Sequence, residues 1–214
     1  TLIFDMDGTL VDLENLNFTS FKKVVEEELG IKYTLKDYQT YMSGAGSHNG
    51  FNSFCNSKNI STDVEVLITK FREYKREILN NNFFEVVKLK DGAIEFLKKA
   101  KEKGYKLGLA TSTVEEFAIL VTKNFEIYNM FDVFLTAKDI RKNKPDPEIF
   151  NKAINLLSTT KNQAIIFEDS KNGIKSAKAS GVYTVGVLTE GLNDEYVKDC
   201  DYVIKSYFEI IDLL

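Results

Sequence analysis

From about residue 84 onward the chain alternates short apolar runs with amphipathic helical patterns, and few folds accommodate that alternation. Lys106-Leu-Gly-Leu-Ala-Thr111, Val133 to Ala137, Gln163-Ala-Ile-Ile-Phe167, Thr184-Val-Gly-Val-Leu188 and Tyr202-Val-Ile204 read as strands. Helical stretches lie between them. One covers 91–103 and ends at Gly104. Ser112 or Thr113 caps the next, with Glu115 and Glu116 favouring its N-terminus. Asp146-Pro147 opens a third, running to Leu157, and 170–180 forms a fourth that stops at Gly181. Strands alternating with helices imply an α/β fold with a parallel, doubly wound sheet. Ligands of such sheets bind outside the carboxyl ends of the strands.

The sheet's first strand is Leu2-Ile-Phe4, far away in sequence. Between it and the alternating part, residues 14–81 show no strand signal. Phe18, Phe21, Val25 and Leu29 recur at helical spacing before Gly30. Thr34, with Asp37 three residues on, caps a second helix through Met42. Ser43-Gly-Ala-Gly-Ser47 reads as a loop, Asn49 to Lys58 as a third helix, and Ser61 or Thr62 as the cap of a long fourth. Its inner stripe is Val64, Leu67, Ile68, Phe71, Lys75 and Ile78. The expected organisation is a sheet domain of 1–13 and 82–214, with a helical insertion of 14–81.

Whole-chain properties narrow the partners. With 214 residues, 43% of them apolar, the chain can bury a sizeable core. A net charge of −4 argues against a nucleic-acid footprint. No run of about 18 apolar residues suggests a membrane span. No signal peptide is visible, although the chain begins at Thr1. The two cysteines, Cys55 and Cys200, have no metal-ligand spacing and suit a reducing cytoplasm. With His48 as the single histidine, a histidine-based triad or metal site has little support. A monomer is expected.

Polar residues gather where the strands end. Asp5 and Asp7 close the first strand, and i, i+2 residues of a strand point the same way. Two converging carboxylates repel unless a cation lies between them. Mg²⁺ would supply it, since it takes one or two carboxylates together with phosphate and water. Thr111 and Ser112 end the second strand at a helix N-terminus, which favours an anion. Lys144 follows the third strand, and Glu168 and Asp169 end the fourth. This set suits phosphoryl transfer. Asp5 attacks phosphorus, and Asp7 protonates the leaving oxygen and then activates water. Asp5, the Asp7 carbonyl and Asp169 hold Mg²⁺. Lys144 neutralises charge, and Thr111 and the Ser112 N–H hold phosphate oxygens.

These residues also carry a resemblance. Asp5-Met-Asp7-Gly-Thr-Leu-Val-Asp12, Leu109-Ala-Thr111-Ser112, Lys144-Pro-Asp-Pro-Glu-Ile-Phe150 and Glu168-Asp169-Ser170-Lys-Asn-Gly173-Ile resemble the motifs of the haloacid dehalogenase superfamily, in its β-phosphoglucomutase-like phosphatase branch. The resemblance runs over essentially the whole chain. It implies a Rossmann-like core, an α-helical cap, Mg²⁺ dependence and the same roles for Asp5, Asp7, Thr111, Lys144 and Asp169. It makes Glu168 a neighbour of the metal site rather than a ligand. It also implies a small phosphorylated metabolite as substrate, a sugar phosphate among the candidates, with Asn17 and His48 as cap contacts. Mutases of this branch carry a histidine where Asn17 stands, and a cap arginine that Gly44-Ala-Gly-Ser-His48 lacks. Hydrolysis is therefore expected over a mutase reaction, and both over a non-catalytic phosphate-binding role.

Overall fold

The computed structural model describes residues 1–42, 46–189 and 194–214. The chain begins with β1 (Leu2–Phe4) and then builds α1 (Glu14–Glu28), α2 (Ser47–Ser57) and α3 (Val64–Val86). It continues through α4 (Ala93–Glu102), β2 (Leu107–Ala110), α5 (Glu115–Asn124), β3 (Val133–Leu135) and α6 (Glu148–Leu156). Next come β4 (Ile165–Glu168), α7 (Lys171–Ser180), β5 (Tyr183–Val187) and β6 (Tyr202–Ile204), with a short helix at Asp194–Val197 before β6 and 3-10 turns at Tyr207–Glu209 and Ile211–Leu213 after it. Among the described residues these six strands form one 6-stranded sheet in the order β3-β2-β1-β4-β5-β6, whose neighbours all pair in parallel, and Val11–Asp12 and Lys88–Leu89 form a separate 2-stranded sheet. The order reverses at β1, so the crevice between β1 and β4 is the place where this topology binds ligands.

Strand parity sorts the core into two faces. Ile3 and Ile166 point to one side and pack with Ile149, Phe150, Ala153 and Ile154 of α6 and with Ala177 of α7. Phe4 and Phe167 point to the other and stack with centroids 4.7 Å apart, and Phe96 of α4 meets both rings edge-on. Their register partners are direct neighbours, Phe4 opposite Phe167.

Two compact units share the chain: 1–12 with 89–214, and 13–88. The second unit therefore extends beyond residue 81, because α3 continues to Val86 across non-helical backbone at Asn82. Buried Leu79 and Phe83 keep the helix packed through Asn80, Asn81 and Asn82. Within this helical unit Phe21 stacks on Phe71 at 4.3 Å, and Phe51 and Phe54 are fully buried.

Several helix ends differ from the sequence reading. The Thr34–Asp37 capping box is present, but after Asp37 the backbone widens into a π-helical turn over Tyr38–Met42. Asp63, not Ser61 or Thr62, caps α3, its carboxylate accepting from Glu65 N–H at 3.0 Å. α5 starts at Glu115 after Val114, with no side-chain cap, so neither Ser112 nor Thr113 serves it. Of the expected 43–47 loop, 43–45 lie outside the described residues, and Ser47 and His48 belong to the first turn of α2. Among the described residues no helix is long and apolar enough to cross a membrane.

Phe4→Ala removes the ring at the centre of the aromatic face. The expected loss is about 3–5 kcal/mol of unfolding free energy, read from urea denaturation of the purified variant. A loss below about 1 kcal/mol would mean that this face does not hold the sheet together.

Candidate active site

Asp5 follows Phe4 directly, and its N–H still donates to the Phe167 carbonyl at 3.0 Å, so the sheet fixes its backbone. The same parity that sends Ile3 and Ile166 toward α6 brings Asp5 and Glu168 to that side. Lys144 meets them there. Its ammonium donates to Asp5 Oδ1 at 2.6 Å, to Glu168 Oε1 at 2.6 Å and to the Ala110 carbonyl at 3.0 Å. One side chain thus joins the carboxyl ends of β2, β1 and β4, with the Phe150 ring 4.8 Å beneath it.

Glu168 is fully buried and its other oxygen is equally occupied. Oε2 accepts from the N–H groups of Asp169 and Ser170, at 2.9 and 2.8 Å, and from Ser170 Oγ at 3.1 Å. Ser170 caps α7 through Gly173 N–H. Gly173 is needed for space, since a Cβ there would fall 1.8 Å from Glu168 Oε1.

Asp169 lies against the turn after β1. Its Oδ1 accepts from Thr9 Oγ1 at 2.9 Å. Gly8 takes φ +84, and a Cβ on it would fall 2.0 Å from Asp169 Oδ2, so both its backbone angle and its neighbour require glycine. The turn closes on itself through Gly8 N–H to the Val11 carbonyl at 2.7 Å and Leu10 N–H to the Met6 carbonyl at 2.9 Å. Thr111 is buried at the end of β2, and its Oγ1 accepts from Thr113 N–H at 3.1 Å, while Ser112 is exposed beside it.

Crowded charge sets the electrostatics. Burial pushes the Asp5 carboxyl up to about 7, against the pull of Lys144 and with added pressure from Glu168 and Asp7. Burial, then Glu168, Asp5 and Asp7, also raise Asp169 well above the usual carboxylate range. Lys144 loses solvation on burial, but Asp5 and Glu168 outweigh that loss and hold it protonated. A divalent cation relieves such crowding, and hard carboxylate oxygens are the donors that Mg²⁺ prefers. Among the described residues no three acidic, thiol or imidazole groups form a complete metal cage. Mg²⁺ does not require one, because water and phosphate oxygens complete its shell. The donors present therefore fit it, with Asp5 and Asp169 as the carboxylates to hold it.

The sheet unit thus carries Asp5, Asp7, Thr111, Ser112, Lys144, Glu168 and Asp169. Asn17 and His48 belong to the helical unit. Asn17 Oδ1 accepts from the ammonium of Lys75 at 2.8 Å, and Lys75 is buried. His48 is exposed, with Nδ1 3.1 Å from Asn52 Nδ2 and Nε2 3.4 Å from Glu65 Oε1. Sequence reasoning passed over Thr9, Gly8 and Gly173 as separate contributors. Their signal was position inside the two acidic motifs, where a small or hydroxyl residue follows each carboxylate pair.

Gly173→Ala gives a test by sign. An alanine inside a helix ordinarily stabilises by about 1 kcal/mol relative to glycine. Here it displaces the Glu168 carboxylate from buried partners, and a net loss of about 1–3 kcal/mol is expected in thermal or urea unfolding. A stabilised variant would contradict the packing described.

A model of the haloacid dehalogenase-like hydrolases matches residues 2–187. A phosphorylated carbohydrates phosphatase of Thermotoga maritima is 32% identical over 193 residues, which is 90% of this chain and 87% of that protein. A pyrophosphatase, PpaX, of Halalkalibacterium halodurans is 29% identical over 216 residues, covering 100% of this chain and 96% of its own. The crystal structure of a beta-phosphoglucomutase from Clostridium difficile aligns with a TM-score of 0.82 at 22% identity, covering 100% of this chain and 95% of that one. At that identity the likeness speaks for the fold. The strand order, the acidic strand ends and the near full-length match agree with the resemblance read from the motifs, and the chain belongs to the haloacid dehalogenase-like hydrolase family.

Proposed function

We propose that this chain is a Mg²⁺-dependent phosphatase that hydrolyses a small phosphorylated metabolite through an aspartyl-phosphate on Asp5. The observation that carries this reading is the contact of Asp5 Oδ1 with Lys144 Nζ at 2.6 Å, at the strand end where the sheet reverses order. A carboxylate held there by buried charge is oriented, and one neighbouring ammonium screens it toward an incoming phosphate. The kinship with phosphatases supports the class of reaction.

In the first step an Asp5 oxygen attacks phosphorus, and the ester P–O bond breaks. Asp7 delivers a proton to the departing oxygen. In the second step water attacks the same phosphorus, Asp7 accepts its proton, and the Asp5–phosphorus bond breaks to release phosphate. Lys144 balances charge on Asp5 and on the phosphoryl group throughout. Thr111 accepts from Thr113 N–H, which leaves its own O–H to donate to a phosphate oxygen, with the Ser112 N–H beside it. When bound, Mg²⁺ keeps Asp5 ionised at neutral pH and draws charge from the phosphate oxygens. Asp169 and Asp5 would hold it through their carboxylates, with the Asp7 carbonyl, while Glu168 accepts from Lys144 and from the Asp169 N–H.

The helical unit is the cap in this reading and selects the substrate. His48 has both ring nitrogens near partners within that unit and Asn17 Oδ1 accepts from Lys75, so both stand as candidate contacts on equal terms. An amide at position 17 cannot shuttle protons at neutral pH as a histidine does, which favours hydrolysis over a mutase reaction. The Thermotoga relative acts, by its name, on phosphorylated carbohydrates, and the Halalkalibacterium relative on pyrophosphate. Sugar phosphates and inorganic pyrophosphate therefore head the substrate panel.

The test is phosphate release from that panel with Mg²⁺ and with EDTA, alongside Asp5→Asn. Release is expected with Mg²⁺ and not with EDTA. Asp5→Asn is expected to lower turnover at least about 10³-fold. Its melting temperature should hold or rise, since a carboxylate leaves a repulsive cluster. Metal-independent turnover, or an active Asp5→Asn variant, would overturn the reading.

A further inference from the structure

Tyr207 belongs to a single 3-10 turn near the end of the chain, Tyr207–Glu209, which carries none of the acidic motifs. Its ring is fully buried, with centroids 6.3 Å from Phe4, 5.2 Å from Phe96 and 5.7 Å from Phe167. A phenylalanine would fill this aromatic nest equally well, and would avoid the cost of burying a phenol. The hydroxyl therefore needs its own explanation.

That hydroxyl donates to the Thr9 carbonyl at 3.1 Å, across 198 residues of sequence. Thr9 is itself fully buried, and its Oγ1 donates to Asp169 Oδ1 at 2.9 Å. The donor end of this path is firmly placed, since Tyr207 N–H donates to the Asp91 carbonyl at 2.9 Å and Ser206 Oγ donates to the same carbonyl at 3.1 Å. Asp169 needs such a hold, because Glu168, Asp5 and Asp7 all repel its charge. A neutral hydroxyl can fix a carboxylate without cancelling the charge that a cation requires.

We propose that Tyr207 is a positioning residue which, through the Thr9 peptide and hydroxyl, holds the Asp169 carboxylate in its cation-binding orientation. This rests on the metal site of the proposed function, and Tyr207 touches neither substrate nor cation. The C-terminal turn is thereby part of the support of the site, although it supplies no reacting group.

Mg²⁺ titration by calorimetry on the resting protein, without substrate, tests this. The proteins compared are wild type, Tyr207→Phe, Thr9→Val, the double variant and Thr9→Ser. Loss of a metal ligand's outer partner commonly weakens binding about 10- to 100-fold. Thr9→Val should reach about 10-fold, and Tyr207→Phe, one bond further out, about 3- to 10-fold. The double variant should bind no more than about 2-fold more weakly than Thr9→Val, since both interrupt one path. Thr9→Ser, which keeps the hydroxyl, should bind within about 2-fold of wild type. Melting in EDTA separates positioning from folding, and Tyr207→Phe should melt within a few degrees of wild type. Unchanged Mg²⁺ affinity in Tyr207→Phe, or effects of the two substitutions that multiply in full, would overturn the proposal. If wild type itself takes up no Mg²⁺, the metal reading falls and the relay falls with it, a result distinct from a normal wild type with a normal Tyr207→Phe.

Discussion

The site depends on a buried lysine shared between two carboxylates. Lys144 divides its donors among Asp5, Glu168 and the Ala110 carbonyl, and these groups end three adjacent strands. An ammonium has three N–H donors, and all three are spent. Without that sharing, Asp5 and Glu168 would be buried anions side by side, which neither could sustain. With it, the carboxyl ends of β2, β1 and β4 are tied in one register, and the surplus negative charge lies toward Asp7 and Asp169. The fold thus crowds buried charge at these strand ends and ties it down with hydrogen bonds.

The sheet makes this affordable by placing rigid apolar layers on both faces beneath the charges. Ile3 and Ile166 anchor one side against α6, and Phe4, Phe167, Phe96 and Tyr207 form the other. Position is then a matter of parity and register rather than of flexible reach. Asp5 and Glu168 leave their strands on the face from which Lys144 approaches, while the turn carrying Gly8 and Thr9 folds over Asp169. Glu168 shows how fully such a buried charge is satisfied, since one oxygen takes the lysine and the other takes two backbone N–H groups and a hydroxyl.

Much of this was legible in the sequence because it is local. Leu2-Ile-Phe followed by Asp-x-Asp announces a buried strand with a charged tip, and Gly181 marks the stop of α7. The parallel sheet followed from alternation. What escaped was set by tertiary packing. The inner stripe read for the long helix stops at Ile78, yet Leu79 and Phe83 bury their side chains and carry α3 to Val86. His48 sits in a helix because α2 begins at Ser47, immediately after a glycine-rich stretch that reads as loop. Val114 precedes α5 without any capping side chain, so the hydroxyls of Ser112 and Thr113 misplace that start while the acidic pair Glu115 and Glu116 marks it. The bond from Tyr207 to Thr9 joins opposite ends of the chain, and neither residue's neighbours in sequence hint at it.

The central claim is that Asp5 becomes phosphorylated during turnover. Rapid acid quench of the working enzyme, followed by borohydride reduction and peptide mass spectrometry, addresses it directly, because an acyl phosphate is reduced to the alcohol. Homoserine in place of Asp5, in the peptide that carries Asp7 unchanged, is the outcome expected here. Phosphate release with Asp5 unmodified at every quench time, or reduction at another carboxylate, would contradict the account.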